Sequence, residues 1–150
     1  PDEPEMIERL GEITQEAHFL DCPVLGMIYP RGENLEIMDG DDTEGAAHAA
    51  RLAFELGCDV VKTKWTGSVE SFRKVTSAVP IPVLIAGGPS GSTTEEILTI
   101  VHQAMQAGGG GVCMGRSVFS HESPAKMVTA LRAIIHDGAD VIQAIESAGL

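Results

Sequence analysis

Four short apolar segments alternate with amphipathic segments along the chain, and this alternation constrains the fold more than any other feature of the sequence. The apolar segments begin at Val24, Val60, Val83 and Val112, so their starts are 36, 23 and 29 residues apart. A βα unit occupies roughly 30 residues, and the spacing therefore indicates four consecutive βα units. Because strands joined by helical crossovers run parallel, the sequence predicts a parallel α/β sheet.

The predicted helices and strands follow from hydrophobic periodicity and from the Gly and Pro residues that interrupt it. The strands are continuous runs of Val, Ile and Leu, which are typical of sheets buried on both faces, in a barrel or in a doubly wound sheet. The predicted order is αβαβαβαβα, with strands at residues 24–28, 60–64, 81–86 and 112–114. Helices are expected to start near residues 7, 43, 69, 93 and 124, with a short helical tail after residue 139.

The length of the chain sets how much of a closed barrel it can form. Eight βα units make a (β/α)8 barrel of about 250 residues, so four units in 150 residues correspond to half of one. The sequence opens at Pro1 and reads as a piece cut from something longer, and we predict that residues 1–150 form a single half-barrel segment. Half a barrel has unpaired edges and a one-sided core, so we expect a missing N-terminal half, a second copy, or relaxation into an open sheet.

Charge and composition exclude several classes of partner. Ten Lys and Arg against 22 Asp and Glu give a formal charge of −12, which repels nucleic acid and acidic lipid. The apolar runs fall short of the roughly 20 residues that a membrane-spanning helix needs. Three cysteines without CxxC spacing predict reduced thiols and a cytoplasmic location. Five histidines without HxxxH or HxH pairing predict the absence of a histidine metal site.

Chemically notable residues follow or end each predicted strand. The four endings are Tyr29, Lys62 with Lys64, Gly87-Gly88, and Gly115-Arg116. In parallel α/β folds, functional groups gather beyond the carboxyl ends of the strands. The sequence therefore predicts one site to which all four units contribute.

Lys62 is the strongest candidate for covalent chemistry. It lies within an apolar strand, where an ammonium group is costly unless it has a partner or a lowered pKa. The two-residue period of a strand places Lys62 and Lys64 on one face, so Lys64 would disfavour the charge on Lys62. A neutral amine obtained in this way can attack a carbonyl and form a Schiff base. The alternative is a pair of surface lysines at a strand end.

Tyr29 is the only tyrosine, and it precedes the turn formed by residues 30–32. A phenol held at a strand mouth can relay protons. The alternative is that the ring packs against the rim and leaves its hydroxyl in water.

The ends of the third and fourth strands predict an anion site. Gly87, Gly88 and Ser90 lead into a helix, and Gly115 with Arg116 closes the next strand. Backbone N–H groups and a guanidinium of this kind suit a phosphate. The glycine pattern lacks the spacing of a P-loop or of a dinucleotide-binding turn.

Several ordered motifs resemble those of a known family. They are MIYPRG at 27–32, AHAARL at 47–52, DVVKT at 59–63 with TG at 66–67, PVLIAGGP at 82–89 and MGR at 114–116. In these motifs the sequence resembles the archaeal-type class I aldolases over essentially its whole length. Intact members fold as (β/α)8 barrels, so the resemblance implies an α/β chain whose strands are numbers five to eight of a barrel.

The resemblance implies roles for individual residues. Lys62 would form the Schiff base, and Tyr29 would act as acid and base. Substrate phosphate would be held by Gly87, Gly88, Gly115 and Arg116. The mechanism requires no metal and no organic cofactor, and intact relatives imply a homo-oligomer.

The resemblance also favours one branch of the family. AHAARL, the AGGP turn and the segment 136–140 look more like 2-amino-3,7-dideoxy-D-threo-hept-6-ulosonate synthases than like fructose-bisphosphate aldolases. This implies an aldolase or transaldolase that acts on phosphorylated keto sugars, with L-aspartate semialdehyde as acceptor, in aromatic amino acid biosynthesis. Class I fructose-bisphosphate aldolase, a thiolase-like relative and a noncatalytic phosphosugar-binding half-barrel remain the alternatives.

Three positions depart from the family pattern. Ser90 stands where the family usually has lysine, Ser117 where it has asparagine, and Trp65 where it commonly has tyrosine. An early-strand aspartate that the family uses in proton transfer has no counterpart in this chain. The resemblance therefore implies that the chain holds part of an active site and works fully only with the other half.

Overall fold

The computed structural model describes residues 3–31, 42–87 and 91–150. In these ranges four parallel strands alternate with helices, as the βα spacing predicts. The elements are α1 (Glu3–Phe19), β1 (Leu25–Met27), α2 (Thr43–Glu55), β2 (Val60–Thr63), α3 (Val69–Ser77), β3 (Val83–Ala86), α4 (Thr94–Gln106), β4 (Gly111–Cys113), α5 (Arg116–Phe119), α6 (Pro124–Asp137) and α7 (Val141–Ala148). No helix in the described ranges is long and apolar enough to span a bilayer.

The strand order distinguishes between the two architectures that the sequence left open. The sheet runs β1-β2-β3-β4, and each neighbouring pair is parallel. In register, Met27 lies opposite Lys62, Lys62 opposite Leu84, and Leu84 opposite Gly111. A doubly wound sheet reverses its strand order at a switch point, whereas a barrel wall adds each strand beside the last. The observed order is that of a barrel wall.

One face of the sheet is covered by helices and the other is open. Val61 and Ile85 face the helices and are fully buried. On the opposite face, Leu25 is 39% exposed and Met27 is 59% exposed. The expectation that the strands are buried on both faces is therefore wrong for this chain. In a barrel, the second face is buried when the sheet curves round to cover its own inner side, and four strands make half of that circle.

The core lies between the sheet and the helices that cover it. Phe72, Val75, Leu98, Val101 and Met127 are fully buried there, on helices α3, α4 and α6. Burying a side chain of this size contributes about 1.5–3 kcal/mol, so this layer supplies most of the hydrophobic stabilisation of the described fold.

Helix ends follow the capping signals in the sequence. Thr93 caps α4: its hydroxyl accepts from the Glu96 N–H, and the Glu96 carboxylate accepts from the Thr93 N–H, as the capping-box pattern predicts. Gly57 ends α2 with a φ of +89°, a conformation that favours glycine. Helix α5, with four residues, was not predicted, because one turn is too short to show periodicity.

The amino end of the first two strands is joined by a side-chain bond. The Asp59 carboxylate accepts a hydrogen bond from the Val24 N–H at 2.7 Å and contacts His18 Nε2 at 3.2 Å. The Val24 bond first, and His18 second, hold the pKa of Asp59 below its ordinary value. This contact fixes β1 beside β2 at the end of the sheet away from the predicted site.

Candidate active site

The carboxyl ends of the strands open into one cleft of about 830 Å³. Tyr29, Lys62, Gly87, Gly115 and Arg116 all line it. These residues belong to all four βα units and are separated by as many as 87 positions in the sequence. The parallel sheet brings them together because its carboxyl ends share one edge.

Lys62 lies on β2, on the open face of the sheet. Its backbone carbonyl accepts from the Ile28 N–H at 3.2 Å, which fixes β2 against the segment that leads to Tyr29. The sequence predicts a buried Lys62, but its side chain is only half-buried, because nothing in the described chain covers this face of the sheet. Among the described residues, no carboxylate or other acceptor contacts its amine. An amine with no acceptor, facing a cleft, is free to meet an electrophile.

Lys64 has a partner that the sequence did not reveal. Its ammonium forms an ion pair with the carboxylate of Asp42, the residue before α2. Nothing in the sequence singles out Asp42, and no motif links it to Lys64, which lies 22 positions further along the chain. Because Asp42 compensates this charge, we expect Lys64 to disfavour a charged Lys62 less than a free ammonium would. The influence of Lys64 on Lys62 stays a prediction.

Tyr29 lies two residues beyond the end of β1, and its ring is half-buried. The Arg31 guanidinium sits 5.6 Å from the ring centroid, within the range of a cation–π contact. Since Met27 is opposite Lys62, Tyr29 extends from the strand next to the lysine and reaches the same cleft. The arrangement places a phenol and an amine around one volume.

At two glycines of the cleft, a neighbouring side chain occupies the space that a Cβ would need. A Cβ on Gly87 would lie 3.0 Å from Ser117 Oγ, and one on Gly115 would lie 3.0 Å from Phe119 Cε1. The end of β3 therefore packs tightly against the turn that follows β4. Arg116 begins α5 and is exposed at the cleft without an ion pair among the described side chains.

Two further predicted anion ligands, Gly88 and Ser90, lie outside the described residues. The positions that flank them, Gly87 and Gly91, both line the cleft. Their part in anion binding stays a prediction.

The cleft also contains residues that sequence reasoning did not single out. Thr94, Cys113 and His121 line it. The ring of His121 is hydrogen-bonded on both nitrogens. No motif marks it, because its partner Thr94 is 27 residues away. In the described parts of the chain, no group of three or more His, Cys, Asp or Glu side chains gathers at one point suited to a metal.

A parallel sheet in barrel order, with a lysine and a tyrosine at its carboxyl edge, defines the class of protein: part of a β/α-barrel with the site at the top of the strands. The DeoC/LacD family aldolase pattern matches residues 1–121, and the chain belongs to this family.

The chain is similar to named members of this group. It is 44% identical over 149 residues to the 2-amino-3,7-dideoxy-D-threo-hept-6-ulosonate synthase of Halobacterium salinarum, which covers 99% of this chain and 54% of that protein. A crystal structure of an archaeal fructose 1,6-bisphosphate aldolase matches with a TM-score of 0.82 and 35% identity, covering 91% of this chain and 54% of that one.

A further archaeal fructose-1,6-bisphosphate aldolase was solved with its catalytic Lys covalently bound to the carbinolamine intermediate of the substrate. It matches with a TM-score of 0.82 and 33% identity, covering 90% of this chain and 53% of that one. The chain therefore spans about half the length of the relatives it matches. The prediction of a parallel α/β half-barrel is confirmed.

Proposed function

We propose that this chain supplies the lysine-bearing half of a Schiff-base class I aldolase or transaldolase. The Lys62 amine attacks the ketone carbon of a keto sugar to give a carbinolamine, and loss of water gives an imine. Cleavage of the adjacent carbon–carbon bond leaves an enamine on Lys62 and releases an aldehyde. The enamine adds to an acceptor aldehyde, and hydrolysis of the new imine returns the free amine and the product.

Tyr29 is the proposed proton carrier in this sequence. Cleavage needs a base that removes the proton of the hydroxyl on the carbon being released, and addition needs the same proton returned. Tyr29 lies at the carboxyl end of the strand next to Lys62 and lines the same cleft. The observation that carries the proposal is that one cleft brings together a phenol and an amine that has no acceptor among the described residues.

The anion-binding end of the cleft is proposed to hold the phosphate of the sugar. Gly87 and Gly115 line the cleft and are proposed to offer backbone N–H groups, and Arg116 offers a guanidinium without an ion pair among the described residues. Gly88 and Ser90 are proposed to complete this end. Arg116 and Lys62 both line this cleft, which supports a substrate that carries a phosphate and a ketone.

The substrate class follows the similarity to the heptulosonate synthases. At 44% identity to the Halobacterium protein, we propose a deoxyketohexose phosphate as donor and L-aspartate semialdehyde as acceptor. Fructose-bisphosphate aldolase is the second candidate, favoured by the likeness to archaeal aldolase structures. A substrate panel on the complete enzyme separates the two: cleavage of fructose 1,6-bisphosphate without use of the semialdehyde favours the second.

The complete enzyme needs the rest of the barrel. We propose that β1 to β4 are strands five to eight, and that the other four strands cover the open face on which Leu25 and Met27 are exposed. A second copy of the chain is the alternative partner. A homo-oligomeric state and a cytoplasmic location, expected from the sequence, stay predictions.

Borohydride trapping tests the lysine assignment. The complete enzyme is incubated with the keto sugar phosphate, reduced with borohydride, and mapped by peptide mass spectrometry. We expect an adduct on Lys62, its loss in Lys62→Ala, and its retention in the matched control Lys64→Ala. Phosphate binding without any adduct would favour the noncatalytic phosphosugar-binding alternative, and an adduct on another lysine would refute the assignment.

A further inference from the structure

His121 connects the third and fourth βα units at the cleft. It immediately follows the turn that carries α5, and its backbone N–H donates to the Val118 carbonyl at 3.1 Å. Its ring Nδ1 accepts from the Ser123 N–H at 2.9 Å, and Nε2 lies 2.8 Å from Thr94 Oγ1. One side chain therefore joins the start of α4 to the segment between α5 and α6.

The ring geometry fixes the tautomer of a neutral His121. A backbone N–H can only donate, so Nδ1 is the acceptor and the proton sits on Nε2. Nε2–H then donates to Thr94 Oγ1. Since Thr94 Oγ1 accepts this hydrogen bond, the hydroxyl hydrogen of Thr94 points away from the ring.

Thr94 is placed to use that hydrogen in the cleft. The capping of α4 is carried out by Thr93 and Glu96, which leaves the Thr94 hydroxyl outside the cap. Thr94 and His121 both line the cleft, together with Arg116. With His121 as the donor, no described residue accepts a hydrogen bond from Thr94 Oγ1.

The single turn of helix α5, which precedes His121, is too short to be stable alone. Helix α5 has four residues, and Gly115, the residue before it, offers no side-chain cap. A single turn is unstable alone because ordering it fixes several dihedral angles for one or two hydrogen bonds. The position of Arg116 relative to Gly87 therefore depends on contacts from outside the turn, and the His121 bridge is one of them.

We propose that His121 is a positioning residue for the anionic end of the substrate: it locks the Gly115-Arg116 turn against the start of α4 and orients the Thr94 hydroxyl as a donor into the cleft. This inference rests on the proposed phosphate site at that end. His121 acts on the affinity for phosphate and not on imine formation, because Lys62 lies on β2, outside the two units that the bridge joins.

The test measures phosphate binding and turnover separately in the complete enzyme. Inorganic phosphate is the probe, titrated by ³¹P NMR, and KM and kcat are measured with the keto sugar phosphate. For His121→Ala we expect about tenfold weaker phosphate binding and a similar rise in KM, the equivalent of one lost hydrogen-bonded contact. We expect kcat to change by less than about twofold, as imine chemistry is untouched.

Conservative variants separate positioning from general support of the fold. His121→Gln keeps an amide donor near the Nε2 position and is expected to recover part of the phosphate affinity, whereas Thr94→Val is expected to lose it without altering side-chain size. Adding Thr94→Val to His121→Ala should cause little further loss, because both changes break the same bridge. The matched control is His102→Ala, on the same helix as Thr94 but bonded to Gln106 outside the cleft, which should bind phosphate normally.

The outcomes distinguish this inference from the proposed function. Equal phosphate affinity in wild type, His121→Ala and Thr94→Val overturns the His121 inference, as does a wild-type enzyme that binds no phosphate. A loss of kcat equal to the rise in KM also overturns it. If His121→Ala fails to fold, Thr94→Val and His121→Gln decide the matter. A wild type that binds phosphate but yields no borohydride adduct refutes the aldolase proposal and leaves the His121 test standing.

Discussion

Gly26 on β1 lies directly against Cys58: a Cβ built on Gly26 would come within 2.8 Å of the Cys58 sulfur. Both residues are buried on the helix-covered side of the sheet. Burial, and then the neighbouring Asp59, raise the pKa of the Cys58 thiol, so it packs as a neutral group. The absence of a side chain at Gly26 is what allows β1 to pack against the segment that enters β2.

We expect Gly26→Ala to lower the free energy of unfolding by about 1–3 kcal/mol, the usual cost of overpacking. Cys58→Ala removes the sulfur that the new methyl group meets, so the double variant should be more stable than Gly26→Ala alone. Urea denaturation of the four proteins measures this coupling. Strictly additive losses would contradict the contact.

Thr63 offers a way to stabilise the fold. Its side chain is fully buried, and its hydroxyl has no hydrogen-bond partner in the described structure. A buried hydroxyl without a partner costs about 1–3 kcal/mol relative to an apolar group of the same shape, so Thr63→Val should raise the unfolding free energy. The matched control is Val61→Thr, which buries a second hydroxyl on the same face and should lower it. A destabilised Thr63→Val would show that the hydroxyl has a partner.

The Asp59 contact predicts acid sensitivity at the amino end of the sheet. Because the folded-state pKa of Asp59 is lowered, its stabilising effect is present above the ordinary carboxyl value of 3.8 and is lost as the pH falls through the lower folded value. We expect Asp59→Asn to flatten the dependence of stability on pH below about pH 4. His18→Ala should keep most of that dependence, since the Val24 N–H is the larger cause. Chemical denaturation at several acid pH values measures it, and equal slopes for wild type and Asp59→Asn would refute it.

The ion pair between Lys64 and Asp42 predicts a change in the yield of trapped imine. Asp42→Asn leaves the Lys64 ammonium without its carboxylate partner, and the uncompensated positive charge disfavours a second one nearby, so the fraction of enzyme trapped by borohydride should rise. Lys64→Met should lower that fraction. Peptide mass spectrometry of the complete enzyme, trapped at one substrate concentration, measures both. Equal yields in both variants would show that Lys64 does not influence Lys62.

Much of the candidate site was predictable because each of these residues lies at or just after the end of its own strand. Lys62 and Arg116 each sit at a strand end, and a parallel sheet places all its strand ends at one edge, so reading the strands was enough to place them together. The bond between Thr94 and His121 was not predictable, since it joins two units through side-chain geometry alone. The same holds for Lys64 and Asp42, which belong to different βα units and meet through their side chains alone.

Boundaries and burial were less predictable than the strands themselves. The predicted third strand begins at Ile81, which packs against the core although β3 begins only at Val83. Hydrophobicity reports packing, whereas a strand is defined by backbone pairing. In the same way, Leu25 and Met27 are apolar, but their side chains are exposed because no described element covers this face of the sheet.

Every crossover in this sheet moves the chain one strand sideways in the same sense. The sheet therefore has no central strand with later strands added on both sides, and each connection repeats the same displacement to the neighbouring position. A sheet built in this way ends when enough strands have been added for the last to pair with the first. The cleft that Lys62 lines is thus set along the part of such a circle that these four strands make.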